Sequence, residues 1–186
     1  GPWVLPLLAM GFLWLLLWQG KLRYAGLGMV VAGFFLWQEA ERPALLIADN
    51  GSIVGLMSPE GRVLSKPKGA GFIALNWLEN DGDSSDQAQA AAGWSDRGLL
   101  AGKEIIHLSG KRALARFTAC HEGQIVVTST VVETPPTGDC DLFDPRRLGT
   151  TGAVALFVAN DGIGMRTARQ MTGTRRWTNW PDAEVQ

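Results

Sequence analysis

Arginine and tryptophan side chains are interleaved near the end of the 186-residue chain. Arginines pair with phosphates and aromatic rings stack on bases, so this composition predicts contact with single-stranded nucleic acid. The alternative, which the pattern alone favours, is a solvated strand and tail whose tryptophans close the edge of a core. The candidate DNA-binding residues are Arg166, Arg169, Arg175, Arg176 and Trp177, followed by Trp180.

The two histidines, His107 and His121, do not have the spacing of a metal site. A two-metal hydrolase needs several imidazoles and carboxylates that converge on the ions, and no H-x-H-x-D-H or H-E-x-x-H spacing occurs. The cluster Asp81, Asp83 and Asp86 lacks the twelfth-position glutamate of a calcium loop, so we interpret it as a solvated turn. We therefore expect no catalytic residue, no metal and no cofactor.

The chain has two cysteines, Cys120 and Cys140, which allow one disulfide. Such a bond would close a loop of about twenty residues, and it is expected only in an oxidising compartment.

The chain divides into an apolar segment before residue 39 and a polar segment after it. The runs 2–19 and 24–38 are apolar, and Lys21 and Arg23 are the only charged side chains before residue 39. Their length predicts two transmembrane helices joined by a cytoplasmic turn, because basic residues stay on the cytoplasmic side. A re-entrant second segment and a helical hairpin in a soluble core are the alternatives.

The remaining segment, 39–186, carries all 18 acidic residues and 15 of the 17 basic ones, since Lys21 and Arg23 precede it. It has the charge of an ordinary globular surface and the length of one soluble domain. Strand patterns outnumber helical ones, which favours an α+β or sheet-sandwich domain over a doubly wound one. The expected hairpins are 44–48 with 53–57, 104–108 with 111–117 and 153–159 with 163–168; the expected helices are 70–79, 87–92 (capped by Ser84 or Ser85) and one turn after Asp144.

Several segments together resemble a known family. These are the apolar pair with its basic turn, ERPALLIADNGSIVGLMSPEGRVL, FIALNWLENDGD, DPRRLGTTGAVALFV and MRTARQMTGTRRWTNW. They are similar to the C-terminal part of ComEC-type competence proteins in their alphaproteobacterial form. The resemblance implies a multi-pass protein of the bacterial inner membrane that takes up DNA during natural transformation. Its implied partners are single-stranded DNA, the lipid bilayer and other proteins of the competence machinery.

Many members of that family end in a metallo-β-lactamase-like domain, and segment 39–186 resembles a degenerate form of it. GKRALARF is similar to strands of the second half, and CHEGQIVVTST lies where a strand would lead to a histidine motif. The histidine ligands are absent, so we expect the domain to be non-catalytic. The cytoplasmic turn at Lys21 and Arg23 puts both ends of the helix pair on the opposite side, so we expect the domain to be periplasmic. The alternative function is a membrane-anchored periplasmic sensing or scaffold domain that binds protein.

Overall fold

The computed structural model describes residues 3–38, 41–95, 98–159 and 162–173. The chain divides into two units, Gly1–Arg42 and Pro43–Gln186. The expected boundary, after residue 38, lies a few residues before this division. Each unit has its own set of helices or strands and is described separately below.

The first unit is a pair of helices, α1 (Val4–Leu17) and α2 (Tyr24–Gln38), joined through a 3-10 turn at Lys21–Arg23. Glycines allow the two helices to approach closely. A Cβ atom on Gly11 would lie 2.8 Å from the carbonyl oxygen of Gly26. Small residues at such positions allow backbones to pack without intervening side chains.

The prediction of two transmembrane helices is wrong. In the part of the chain that the structure describes, no helix combines the length and apolar character needed to cross a bilayer. Helix α1 has 14 residues and α2 has 15. At 1.5 Å per residue they measure about 21 and 22 Å, against a hydrocarbon core of about 30 Å. The first apolar run is longer than its helix because Trp18 is already extended and Gly20 has a φ of +86°.

The second unit contains nine described strands and five described helices. They are β1 (Leu45–Ile47), β2 (Val54–Ser58), β3 (Gly61–Leu64), α3 (Gly71–Asp81), α4 (Gln87–Ala91), β4 (Gly98–Leu100), β5 (Lys103–Leu108), α5 (Lys111–Arg116), β6 (Gln124–Thr128), β7 (Asp141–Phe143), α6 (Pro145–Thr151), β8 (Val154–Ala159), β9 (Gly162–Thr167) and α7 (Ala168–Thr172).

The strands form two sheets. The first sheet has the order β3-β2-β1-β8-β9 and is antiparallel throughout, with Leu45 opposite both Leu56 and Leu156. The second sheet has the order β4-β5-β6-β7, in which β5, β6 and β7 run parallel. The predicted hairpins β1–β2 and β8–β9 are confirmed. The expected sheet-containing mixed architecture is present, whereas the expected membrane-spanning part is not.

Three apolar clusters lie between the layers of this unit and pack them together. The largest joins the inward faces of both sheets, with Leu45 and Ile47 from the first and Ile105 and Ile125 from the second. Another packs α3 and α4 on the first sheet, and a third packs α5 on the second. The order of layers is therefore helices, sheet, sheet, helix.

Two local predictions are wrong. The segment 111–117 is expected as a strand, but it begins helix α5 directly after Gly110, whose φ is +83°. Its residues Ala113, Leu114 and Phe117 recur at helical spacing and pack on the second sheet. Helix α4 is capped by Asp86 rather than by a serine, since the Asp86 carboxylate accepts a hydrogen bond from the amide of Gln89.

Candidate nucleic-acid interface

A groove of about 280 Å³ crosses the outer face of the first sheet, between α3 and α7. We call it the outer groove. Its floor comes from side chains on β1 and β8 that point away from the core between the sheets. The residues that line it are Leu46, Ile47, Trp77, Ala153, Val154, Ala155, Phe157, Arg166, Thr167, Ala168 and Met171.

Arg166 is the cation of the outer groove. Its position on β9 is opposite Ala155 of β8, so its side chain shares the outer face with Phe157. The guanidinium carbon lies 4.8 Å from the centroid of the Phe157 ring. Stacking on a ring holds the guanidinium in place while its N–H groups remain available to an anion, because this residue is exposed.

Trp77 forms the other wall, and its position depends on a glycine. The residue lies on α3, where it packs against the cluster under that helix. A Cβ atom on Gly55 of β2 would come within 3.0 Å of the Trp77 ring. Glycine at position 55 therefore lets the indole lie directly on the sheet, with the remaining part of the ring turned to the groove.

A second hollow of about 250 Å³ continues the outer groove past Trp77 and Ala153. Phe72 lines it from the first turn of α3 and is 82% exposed. Met171 of α7 is 73% exposed on the groove side. The surface thus offers three aromatic rings, an exposed thioether and an arginine along one face.

Arg169 has a different environment from Arg166. Its guanidinium donates a hydrogen bond to the carbonyl oxygen of Gly149 at 3.0 Å, which ties α7 to α6. The other three residues of the predicted site, Arg175, Arg176 and Trp177, lie outside the described residues. The structure therefore brings Arg166 to the groove and gives Arg169 a structural contact.

Strand β6 lies in CHEGQIVVTST, where the family resemblance places a strand that leads to a histidine motif. Among the described residues, no three side chains of His, Cys, Asp or Glu type converge to hold an ion. His107, near the end of β5, donates from Nε2 to the carbonyl oxygen of Gly51 at 3.1 Å. Burial lowers the pKa of His107, and the charge of Lys66 lowers it further, whereas the Gly51 carbonyl acts in the opposite sense. This histidine is a neutral link between the two sheets.

Cys120 and Cys140 are joined by a disulfide, with their Cα atoms 5.8 Å apart. Hydrogen bonds reinforce the same junction: the amide of Cys120 donates to the carbonyl oxygen of Thr137 at 2.8 Å. Both half-cystines pack with Val126 and Phe117 in the cluster below α5. The bond therefore fixes the long loop between β6 and β7 to the segment before β6.

No family model, curated protein or solved structure matches the chain. Sequence reasoning found Arg166 but missed the rings of Trp77, Phe72 and Phe157. One signal was present for Phe157, because it alternates with Val154 and Leu156, both of which are buried. No sequence pattern indicated that Phe72 and Trp77 of α3 would lie near Phe157 of β8, since these residues are far apart in the chain.

Proposed function

We propose that this chain is the C-terminal part of a bacterial DNA-uptake protein and that its second unit binds single-stranded DNA without cleaving it. The observation that carries the proposal is the outer groove, in which Arg166 stacks on Phe157 beside Trp77 and Phe72. Proteins that bind single strands combine cations for the phosphates with aromatic rings for the bases.

Each component has an assigned role in this proposal. Arg166 contacts a phosphate, and Phe72, the most exposed ring, stacks on a base. Arg175, Arg176 and Trp177 follow α7 in the chain and remain candidates for further contacts with phosphates and bases. Arg169 supports this path by holding α7 on α6.

We further propose that the protein acts at the bacterial inner membrane, with the second unit on the periplasmic side and other competence proteins as partners. The Cys120–Cys140 bond supports the periplasmic side, because disulfides persist in oxidising compartments. Large apolar side chains remain exposed on α1 and α2, which supports contact with lipid. This contact does not require either helix to cross the bilayer.

The experiment measures binding of a fluorescent oligothymidylate to the full chain, kept in mild non-ionic detergent, as salt is varied. We expect Arg166→Gln to make the salt slope shallower by about 0.7, the value for one lost phosphate contact on a single strand. We expect Phe72→Ala to weaken binding by about 1–3 kcal/mol through loss of one stack. Because Phe72 is exposed, its replacement should leave the melting temperature unchanged.

Two matched controls separate the site from the rest of the surface. Arg146→Gln removes an exposed cation from α6, and Leu99→Ala removes an exposed apolar side chain from β4. Neither residue lies in the groove, so both variants should bind like the unchanged protein. If Arg166→Gln and Arg146→Gln lower the slope equally, the groove is not the binding site.

The proposal also includes the absence of nuclease activity. Incubation of the full chain with labelled single strands and either Mn²⁺ or Zn²⁺ should leave the strands intact. Cleavage that copurifies with stoichiometric metal, and that is lost in His107→Gln, would overturn this part.

A second candidate function is binding of a protein partner, which the apolar character of the outer groove favours. Met171 lines the outer groove and Phe72 lines the hollow that continues it, and they are 73% and 82% exposed. A protein complex would lose affinity in Phe72→Ala but would keep its salt dependence in Arg166→Gln. Absence of any oligothymidylate binding would leave this function as the remaining one.

A further inference from the structure

Helix α5 presents a row of cations that the sequence reading assigned to a strand. Lys111, Arg112 and Arg116 are exposed, whereas Ala113, Leu114 and Phe117 pack on the second sheet. Arg112 and Arg116 are four residues apart and therefore lie on one side of the helix. Within the described part of the chain, none of the three cations forms an ion pair.

A cleft of about 350 Å³ lies beside this helix, and we call it the α5 cleft. That volume is at the lower end of the roughly 300–1,000 Å³ of ligand pockets. The cleft has an apolar floor and a polar rim that includes Lys111, two threonines and Glu133. Its lining residues are Leu108, Lys111, Leu114, Phe117, Thr130, Val131, Val132, Glu133, Thr134, Pro136 and Leu142.

The position of the α5 cleft in the fold is an independent observation. Leu108 is the last residue of β5, and Thr130 follows the end of β6, so the cleft lies at the carboxyl ends of two parallel strands. Ligands of sheets with parallel strands bind outside these ends. One wall, residues 130–136, belongs to the loop that the Cys120–Cys140 bond closes.

From these features we infer that α5 and its cleft form a second contact site for single-stranded nucleic acid, separate from the outer groove. This inference rests on the proposed function. Arg112 and Arg116 contact successive phosphates, Lys111 contacts a phosphate at the cleft mouth, and one base enters the cleft above Phe117. The hydroxyls of Thr130 and Thr134 are the polar groups available to the edge of that base.

Glu133 allows a test in which removing one charge should increase the affinity for single strands. Its carboxylate lines the same cleft as Lys111 and opposes the approach of a phosphate. Replacement by glutamine should therefore tighten binding, by about twofold to fivefold at low salt, whereas removal of the α5 cations should weaken it.

The test compares two triple variants of the full chain that remove the same charge. One is Lys111→Gln, Arg112→Gln and Arg116→Gln. The other, the control, is Lys66→Gln, Lys68→Gln and Arg146→Gln, none of which lines either site. We expect the α5 variant to lower the salt slope by about 2 and the affinity for oligothymidylate by roughly a hundredfold at about 0.1 M salt, which corresponds to three lost phosphate contacts. The control variant should lose much less.

Removal of the disulfide by substitution of both cysteines provides a test that leaves the residues of α5 unchanged. Cys120→Ser with Cys140→Ser should weaken the binding that depends on α5 and leave the effect of Arg166→Gln unchanged. Circular dichroism should show that the unit remains folded in the α5 variant, because the replaced cations are exposed, and it should be used to select conditions under which the double cysteine variant is folded.

The outcomes separate the two proposals. If the unchanged protein does not bind oligothymidylate, the proposed function fails and this inference fails with it. If the unchanged protein binds and Arg166→Gln weakens binding, but the α5 variant equals its control, only the α5 site is overturned. If the α5 variant binds oligothymidylate normally and instead loses binding to phosphatidylglycerol vesicles, α5 is a lipid-binding surface and the inference is wrong.

Discussion

The two sheets of the second unit are held together in different ways. The first sheet is antiparallel and carries a buried guanidinium, because Arg62 is 2% exposed and pairs with Asp81 at the end of α3. Arg62 also donates to the carbonyl oxygens of Gly55 and Pro43. The parallel strands of the second sheet are joined by crossovers, and a disulfide ties the segment before β6 to the segment before β7. Arg62 ties neighbouring segments together in the first sheet, and the disulfide does so in the second. We therefore expect each sheet to be destabilised by a different substitution.

The largest expected effect comes from Arg62→Met, which removes the anchor of the first sheet. Asp81 would remain only 11% exposed without the Arg62 guanidinium beside it. Breaking a buried pair in this way costs about 3–5 kcal/mol. Urea unfolding measures the loss, and hydrogen exchange should show it first in β2 and β3.

The ion pair between Lys103 and Asp141 in the second sheet is the matched control. Its nitrogen and oxygen are 2.9 Å apart, but the side chains are 38% and 49% exposed. Lys103→Met should therefore cost about 1 kcal/mol or less. Equal losses in the two variants would contradict the contrast between the sheets.

The next effect concerns the anchor of the second sheet. Cys120→Ser with Cys140→Ser opens a loop whose ends are 20 residues apart. Loop-closure entropy predicts a loss of about 3 kcal/mol in the free energy of unfolding. The loss should appear in protein made in an oxidising compartment, and thiol counting on the unfolded parent protein should find no free thiol. Two reactive thiols in the parent would overturn the prediction.

The link between the sheets should respond to pH. Because burial holds the pKa of His107 below its ordinary 6.5, the unfolded chain binds a proton first as the pH falls. Stability contributed by the neutral histidine is complete above the unfolded pKa and declines below it, between about pH 6.5 and the lower folded pKa. His107→Gln should flatten this decline in urea unfolding measured from about pH 7.5 to about pH 5.5. An unchanged pH profile in the variant would exclude His107 as the cause.

Arg166→Gln should have only a small effect on stability. A cation on a ring at an exposed site contributes about 0.5–1 kcal/mol. Thermal melting should therefore change little in Arg166→Gln, although this variant should bind single-stranded DNA less well. A large fall in melting temperature would show that Arg166 holds β9 on β8 rather than serving a ligand.

Local chemistry made part of this architecture predictable. The turn at Asp49, Asn50 and Gly51 indicated the first hairpin, and Asp144 followed by Pro145 indicated the start of α6, where the Asp144 carboxylate accepts from the amide of Arg147 at 2.9 Å. Strands β4 and β7 escaped prediction because each has three residues, too few for a period to emerge. The prediction of a strand at 111–117 was wrong because a short apolar pattern fits both the two-residue period of a strand and the 3.6-residue period of a helix.

The outer groove was predictable only at Arg166. Its rings come from α3 and β8, and their convergence depends on the pairing of β1 with β8. Nothing in the spacing of residues specifies that pairing. The apolar runs at the beginning were visible in the sequence, but where each helix ends depended on the backbone at Trp18 and Gly20.

The pairing of β1 with β8 also has a consequence for how the chain folds as it leaves the ribosome. Leu45 is in register with Leu156, so the centre of the first sheet cannot close until most of the unit has been synthesised. Until then one edge of β1 is unpaired, and the side chains of Leu45 and Ile47 are not buried in the core between the sheets. Chains halted before β8 should consequently be clients of chaperones and targets of proteolysis, whereas the β1–β2 hairpin can form early.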